Sequence, residues 1–211
     1  MDKNFAKVRL SAEEMRLVTD PAWILTKNSV MGKAVSMFAG LSEEWKTMRK
    51  DNKALPTRSP GMLALNISSM ETKISKGENY RGLPWVMLDG PREFGREDVL
   101  AIRTLFLWGH AFSVTLHLKG MYQGVCLPGI IAWEAGLAAA GFELGVSANE
   151  WDHAHLPEYY RPWKDIAELE KERPFLKLSA QCPLQYWDEA PERLSGLYSL
   201  LLMAISSDVD R

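Results

Sequence analysis

The sequence is poor in the signatures that announce a function. It holds two cysteines in 211 residues, Cys126 and Cys182, far apart and in no metal-ligand or redox spacing. Two isolated thiols argue against a disulfide scaffold and for a reducing, cytoplasmic setting. Charge of one sign is missing too, since the net charge is −2. Nucleic-acid binding draws on a basic surface that releases counterions, so no nucleic-acid partner is expected. Long apolar runs are absent. The most apolar stretch, 125–142, is broken by Pro128 and Glu134 and is too short to span a bilayer, so no membrane association is expected. Met1-Asp-Lys-Asn-Phe5 has no apolar core of a secretion signal. There is no nucleophile elbow, kinase motif set, HExxH helix, P-loop or dinucleotide fingerprint, and no internal repeat.

What is present is tryptophan. Eight indoles are an excess for one domain of this length, in a chain that is otherwise ordinary at 46% hydrophobic and 25% charged residues. Each indole carries a large apolar area and one N–H donor, which suits a thick core, a pocket wall or an interface.

Ser11-Ala-Glu-Glu14 has the form of a capping box, and Asp20-Pro21 is a strong helix start. Met31, Ala34, Phe38, Leu41, Trp45 and Met48 recur at helical spacing to about Lys50. The cations Lys46, Arg49, Lys50, Lys53 and Arg58 that follow read as a solvated helix end. Residues 51–70 read as a loop. The strand-rich centre comes next: Glu71–Ser75, a turn at Gly77–Tyr80, and a strand Pro84–Asp89 ended by Gly90-Pro91.

Ala101–Trp108 and Ala111–Lys119 give the clearest β signal, joined at Gly109-His110 as in a two-residue hairpin. That turn sets Leu107, Leu105 and Arg103 opposite Phe112, Val114 and Leu116 on a core face. Phe106, Thr104 and Ile102 then oppose Ser113, Thr115 and His117 on a mixed face. A helix over 97–107 competes with the first strand.

Further on, 129–140 reads as a close-packing helix with Gly141 at its end, and Phe142–Ala148 as a strand. Residues 149–163 read as a long surface loop, Asp165–Arg173 as a charged helical turn and Phe175–Cys182 as a strand. The last helix starts at Pro191, and its apolar face is too wide for one stripe. The fold class expected is a single α+β domain: a predominantly antiparallel sheet with helices from both chain ends packed on one face. A face this wide implies that the last helix is buried on two sides or partly covered by another chain, which makes a homo-oligomer one expectation.

Several groups are candidates for chemistry. Asp152-His153-Ala-His155, with Glu150 and Glu158 nearby, offers imidazoles and carboxylates for a divalent metal, with His117 or His110 as a distant ligand. The plainer reading of that pair is surface decoration between Trp151 and Tyr159. His117 beside Thr104 and Thr115 is a general-base candidate, or a half-buried strand histidine bonded to a hydroxyl. Glu134, inside an apolar helix, is an acid with a raised pKa if buried and the polar side of that helix if exposed. The turn Lys73–Gly82 combines cations and glycines, but not in a phosphate-loop pattern.

Lys73-Ile-Ser-x-Gly-Glu-Asn-Tyr80, Gly82-Leu-Pro-x-Val-Met-Leu-Asp89, Ala101-Ile-Arg-Thr104, Trp108-Gly109 and Phe112-Ser-Val-Thr-Leu116 resemble a small uncharacterised bacterial protein family. The resemblance covers the central block closely and the rest of the chain loosely. It implies no activity, cofactor or functional residue. The reading with most support is a binding or interaction module for a small apolar or amphipathic molecule or a protein partner. Its ligand-binding residues would be Thr104, Phe106, Trp108, Ser113, Thr115 and His117. The alternative is a metal-dependent enzyme using His153, His155 and Asp152.

Overall fold

The computed structural model describes residues 8–51, 67 and 69–207. Helix α1 (Ala12–Val18) opens with the capping box in place: Glu14 N–H donates to Ser11 Oγ and Ser11 N–H to the Glu14 carboxylate. Helix α2 (Pro21–Asp51) starts where Asp20 accepts the Ala22 N–H. It runs 31 residues without a break at Gly40, about 46 Å of helix. Its stripe Met31, Ala34, Phe38, Leu41 and Trp45 is buried against the sheet and the last helix. Trp45 stacks on Tyr198, ring centroids 3.8 Å apart, and donates its N–H to Ser195.

One cation expected at a solvated end is not there. Arg49 follows Trp45 by one turn, so the stripe carries it inward, where it is 1% exposed and donates to Tyr198 Oη and the Met70 carbonyl. Lys46 is solvent-side, paired with Glu43, while Lys53, Arg58 and most of the expected 51–70 loop lie outside the described residues.

Seven strands form one antiparallel sheet: β1 (Lys73–Tyr80), β2 (Leu83–Phe94), β3 (Val99–Leu107), β4 (Ala111–Lys119), β5 (Glu143–Gly145), β6 (Tyr160–Arg161) and β7 (Phe175–Pro183). Their spatial order is β1-β2-β3-β4-β7-β5-β6. Residues 99–107 are strand, not helix, because their β-branched and aromatic side chains are buried on both faces of a central strand.

Three local expectations shift. The first turn lies at Arg81-Gly82, both at positive φ, and β1 runs through Gly77 to Tyr80. Gly77 pairs with Trp85 in the β1–β2 ladder, and the position takes glycine because a Cβ there would meet the Trp85 indole at 2.7 Å. Strand β2 continues past Gly90-Pro91, and the register shift between Asp89 and Arg92 accommodates the residue that has no N–H.

The β3–β4 connection has three residues, Trp108-Gly109-His110, with Gly109 at φ 75°. Pairing therefore slips by one from a two-residue turn. Phe106 faces Phe112, Thr104 faces Val114 and Ile102 faces Leu116; on the other side Leu105 faces Ser113, Arg103 faces Thr115 and Ala101 faces His117. A slip of one residue exchanges the faces of a strand relative to its neighbour.

Helices cover one face. Along with α2 these are α3 (Met121–Ala132), which starts earlier than the sequence indicates and contains Pro128, and α6 (Ala190–Ser206). Gly129 of α3 touches the backbone of α6, where a Cβ would lie 2.1 Å from the Ala204 carbonyl oxygen. The short α4 (Glu134–Ala139) packs on α6 near Leu200, so the second apolar side of α6 meets α3 and α4 of the same chain. Glu134 is half-buried and accepts the Trp163 N–H at 2.7 Å. Helix α5 (Ile166–Glu170) is capped by Asp165. Among the described residues, no helix is long and apolar enough to cross a membrane.

Candidate functional site

The face turned away from the helices is polar over β4 and β7, while Leu105 and Leu107, expected on the core side, form a small apolar cluster with Met87 and Ala154 at its β2–β3 end. Even-numbered residues of β3, β4 and β7 form the core with α2 and α6. Odd-numbered ones place Arg103, Ser113, Thr115, His117, Lys119, Lys177, Ser179 and Gln181 on the opposite face, with Asp89 of β2 beside Arg103. This face is not open to solvent: His117 and Ser179 are fully buried and Lys177 is 2% exposed. The cover is segment 146–163, which packs over the strands instead of lying free as a surface loop.

The segment is held by side chains that reach up from the sheet. Lys177 Nζ donates to the carbonyls of Glu150 (3.2 Å) and Asp152. Lys119 pairs with the Glu150 carboxylate at 2.9 Å. Tyr80 Oη accepts the N–H groups of His153 and Ala154, and Gln181 donates to the His155 carbonyl. Arg103 grips Asp89 through two N–H groups, at 2.7 and 3.2 Å, and directs a third to His153 Nε2 at 2.6 Å. Below them Thr115 and Ser179 share a hydrogen bond at 2.8 Å.

Aromatic rings close the layer. Trp151, about half exposed, sets its indole edge-on to His117 and His153 and packs beside Phe94. Phe175 flanks His117 from the other side, and Tyr160 stacks on His155 at 4.8 Å.

Burial sets the protonation states. It holds His117 neutral down to about 4, helped by the positive Lys177 and opposed by Glu150. It takes His153 to about 2, with the Arg103 charge acting the same way. His155 is lowered by burial against the pull of Glu143, whose carboxylate lies 3.0 Å away. Lys177 drops to about 7 through burial and the nearby Arg103, so its amine exchanges its proton near neutrality. One contact stops short of a hydrogen bond: His117 Nε2 lies 3.3 Å from Glu150 Oε2 without the alignment to bond it, and neither ring nitrogen of His117 has a hydrogen-bond partner.

The structure divides the residues singled out in the sequence. Ser113, Thr115 and His117 lie on this face, joined by His153 and His155 from the covering segment. Thr104 and Phe106 lie on the far side of β3 in the packed core, Phe106 against Phe112 and Trp187; the one-residue slip put them there. Trp108 sits in the turn at the core's edge. His110 borders a void of only about 10 Å³ with Ser113 and His155.

The three metal-ligand candidates do not converge. His153 faces Arg103, His155 faces Glu143, and Asp152 turns its carboxylate to Ser147 and Asn149. Among the described residues no group of three or more His, Cys, Asp or Glu side chains is placed to hold a metal ion. Sequence reasoning passed over Arg103, Asp89, Lys177, Tyr80 and Tyr160. The available signal was a charge inside an apolar strand: Arg103 after Ile102, and Lys177 between Leu176 and Leu178.

No protein-family model, curated protein or solved structure matches this chain at a significant level.

Proposed function

We propose that this protein is a binding module, and that its binding region is the polar face of the sheet where segment 146–163 crosses it. The observation that carries the reading is Lys177. A lysine in the middle of a central strand is 2% exposed, and its hydrogen bonds go to two loop carbonyls instead of a carboxylate. Stability alone does not call for such a residue, because a well-packed apolar side chain in place of a buried charge is often neutral or stabilising. Groups with displaced ionisation gathered under a loop are the ordinary mark of a functional site.

Aromatic residues around the polar layer (Phe94, Trp151, Tyr160 and Phe175) favour an amphipathic small molecule over a purely polar one. Its apolar end would meet the rings, beginning with the half-exposed Trp151, and its polar end the partly exposed Lys119 and Glu150, which Lys177 backs from beneath.

The test is a thermal-shift screen of small amphipathic molecules on the wild type and on Lys177→Met. A ligand at a hundred times its Kd stabilises the fold by about 2.7 kcal/mol. The expected result is a compound that shifts the wild type and shifts the variant less. A screen in which every hit acts equally on both proteins sinks the reading.

A further inference from the structure

We propose that the cleft beside this polar face is the entrance and anchoring site for a small molecule carrying a phosphate group. The inference rests on the binding reading and gives it a ligand class. The cleft has a volume of about 420 Å³, within the range of small-molecule sites, and lies between Gly145–Ala148 and Lys171–Phe175. Its walls are of two kinds. Leu144, Val146, Pro174 and Phe175 supply apolar surface; Arg161, Lys171 and Arg173 supply three cations against the single carboxylate of Glu168.

That carboxylate is already taken. Glu168 accepts two N–H groups of Arg161, at 2.9 and 3.4 Å, and the Lys164 N–H. Arg173 is left with carbonyls: its guanidinium donates to the backbone oxygens of Glu168 and Lys171. Its charge is partly removed from water and burial lowers its pKa, opposed only by the Glu168 carboxylate that Arg161 already engages. Lys171 is exposed and forms no ion pair among the described residues. A guanidinium fork and an ammonium at the rim of an apolar cleft, sharing with Arg161 the single carboxylate of Glu168, match a phosphate dianion: the Arg contacts two oxygens and the Lys acts as a point charge.

The cleft also communicates with the polar layer. Gly145 follows Leu144 on β5, the neighbour of β7 in the sheet, and a Cβ on it would lie 2.9 Å from Lys177 Cβ, so the cleft's backbone runs directly beside the buried lysine. Phe175, one wall of the cleft, is the ring that flanks His117. Ser147, another lining residue, donates to the Asp152 carboxylate of the covering segment.

Isothermal titration with glycerol 3-phosphate, inorganic phosphate, succinate and glycerol tests the assignment. The phosphate-bearing probes should bind saturably with Kd below about 10 mM, and more weakly as salt rises; glycerol should not bind. Lys171→Gln and Arg173→Gln should each weaken binding by about tenfold, the worth of one charge-assisted contact. Should Arg173→Gln fail to fold, the exposed Lys171→Gln decides alone. Saturable succinate binding at equal strength would overturn the phosphate class. No binding of any anion, or binding unmoved by Lys171→Gln, would overturn the site. If neutral amphipathic compounds stabilise the protein while anions do not, the cleft assignment fails and the binding reading stands; if nothing binds, both fail.

Discussion

Arg103 and His153 stand 50 positions apart in the chain, yet the guanidinium Nη1 lies 2.6 Å from the imidazole Nε2. The contact ties the centre of the sheet to the segment that covers it. It also fixes the imidazole as a neutral acceptor, since the guanidinium has only donors to offer.

Removing Arg103 should therefore do more than loosen the cover. Asp89, 4% exposed, would lose the guanidinium that bonds both its carboxylate oxygens, so Arg103→Met should destabilise the fold by about 3–5 kcal/mol. Adding Asp89→Asn removes the carboxylate charge and should recover part of that loss. Urea unfolding of the two single variants and the double variant measures the coupling. Additive losses would show that the pair is not an energetic unit.

Acid should weaken this protein well before its carboxylates are protonated. In the unfolded chain His117 and His153 bind a proton near 6.5; in the fold they stay neutral down to about 4 and about 2. The unfolded state thus holds more protons below 6.5, and stability falls as pH drops, by at most about 1.4 kcal/mol per pH unit for each group. Lys177 has the same sign above neutrality: its folded amine loses its proton near 7 and its unfolded one near 10.5, so stability gains between them. Urea midpoints from pH 4 to 6.5 should climb, and His117→Asn should flatten the climb. A wild-type curve level over that range would contradict the buried, neutral imidazoles.

Two glycines of the helical layer should respond oppositely to alanine. Gly129→Ala drives a Cβ into the α6 backbone and should cost about 1–3 kcal/mol. Gly40, exposed in mid-α2 with nothing near its missing Cβ, should gain about 0.5–1 kcal/mol as alanine. A melting temperature of Gly129→Ala that is unchanged or raised would refute the α3–α6 contact.

The His153/His155 pair has its own check. With Arg103 against one imidazole and Glu143 against the other, a chelator should leave the melting temperature of purified protein unchanged. His153→Ala should then act through the lost Arg103 contact, and elemental analysis should give the same metal content for variant and wild type. Stoichiometric zinc, iron or manganese lost with that substitution would restore the metal reading.

Much of the architecture was legible in the sequence. The capping box at Ser11, the stripe Met31–Trp45, the alternation of β3, β4 and β7 and the wide apolar face of α6 are patterns within one element. Each depends on spacing and local propensity, which any window of the chain displays. These patterns determine an antiparallel sheet with helices on one face.

The tertiary structure decided which residues meet. A connection of three residues instead of two sent Thr104 and Phe106 into the core and brought Arg103 onto the face with Thr115 and His117. Period-two alternation names two faces of each strand but does not say which faces combine; the turn does. Arg49 and Lys177 look like solvent residues by type, and only the position of the helix and strand that carry them makes them buried. The 146–163 segment, aromatic and acidic, has no period at all. Its place over the polar face comes from hydrogen bonds to side chains on distant strands, and contacts between distant parts of the chain leave no local pattern to read.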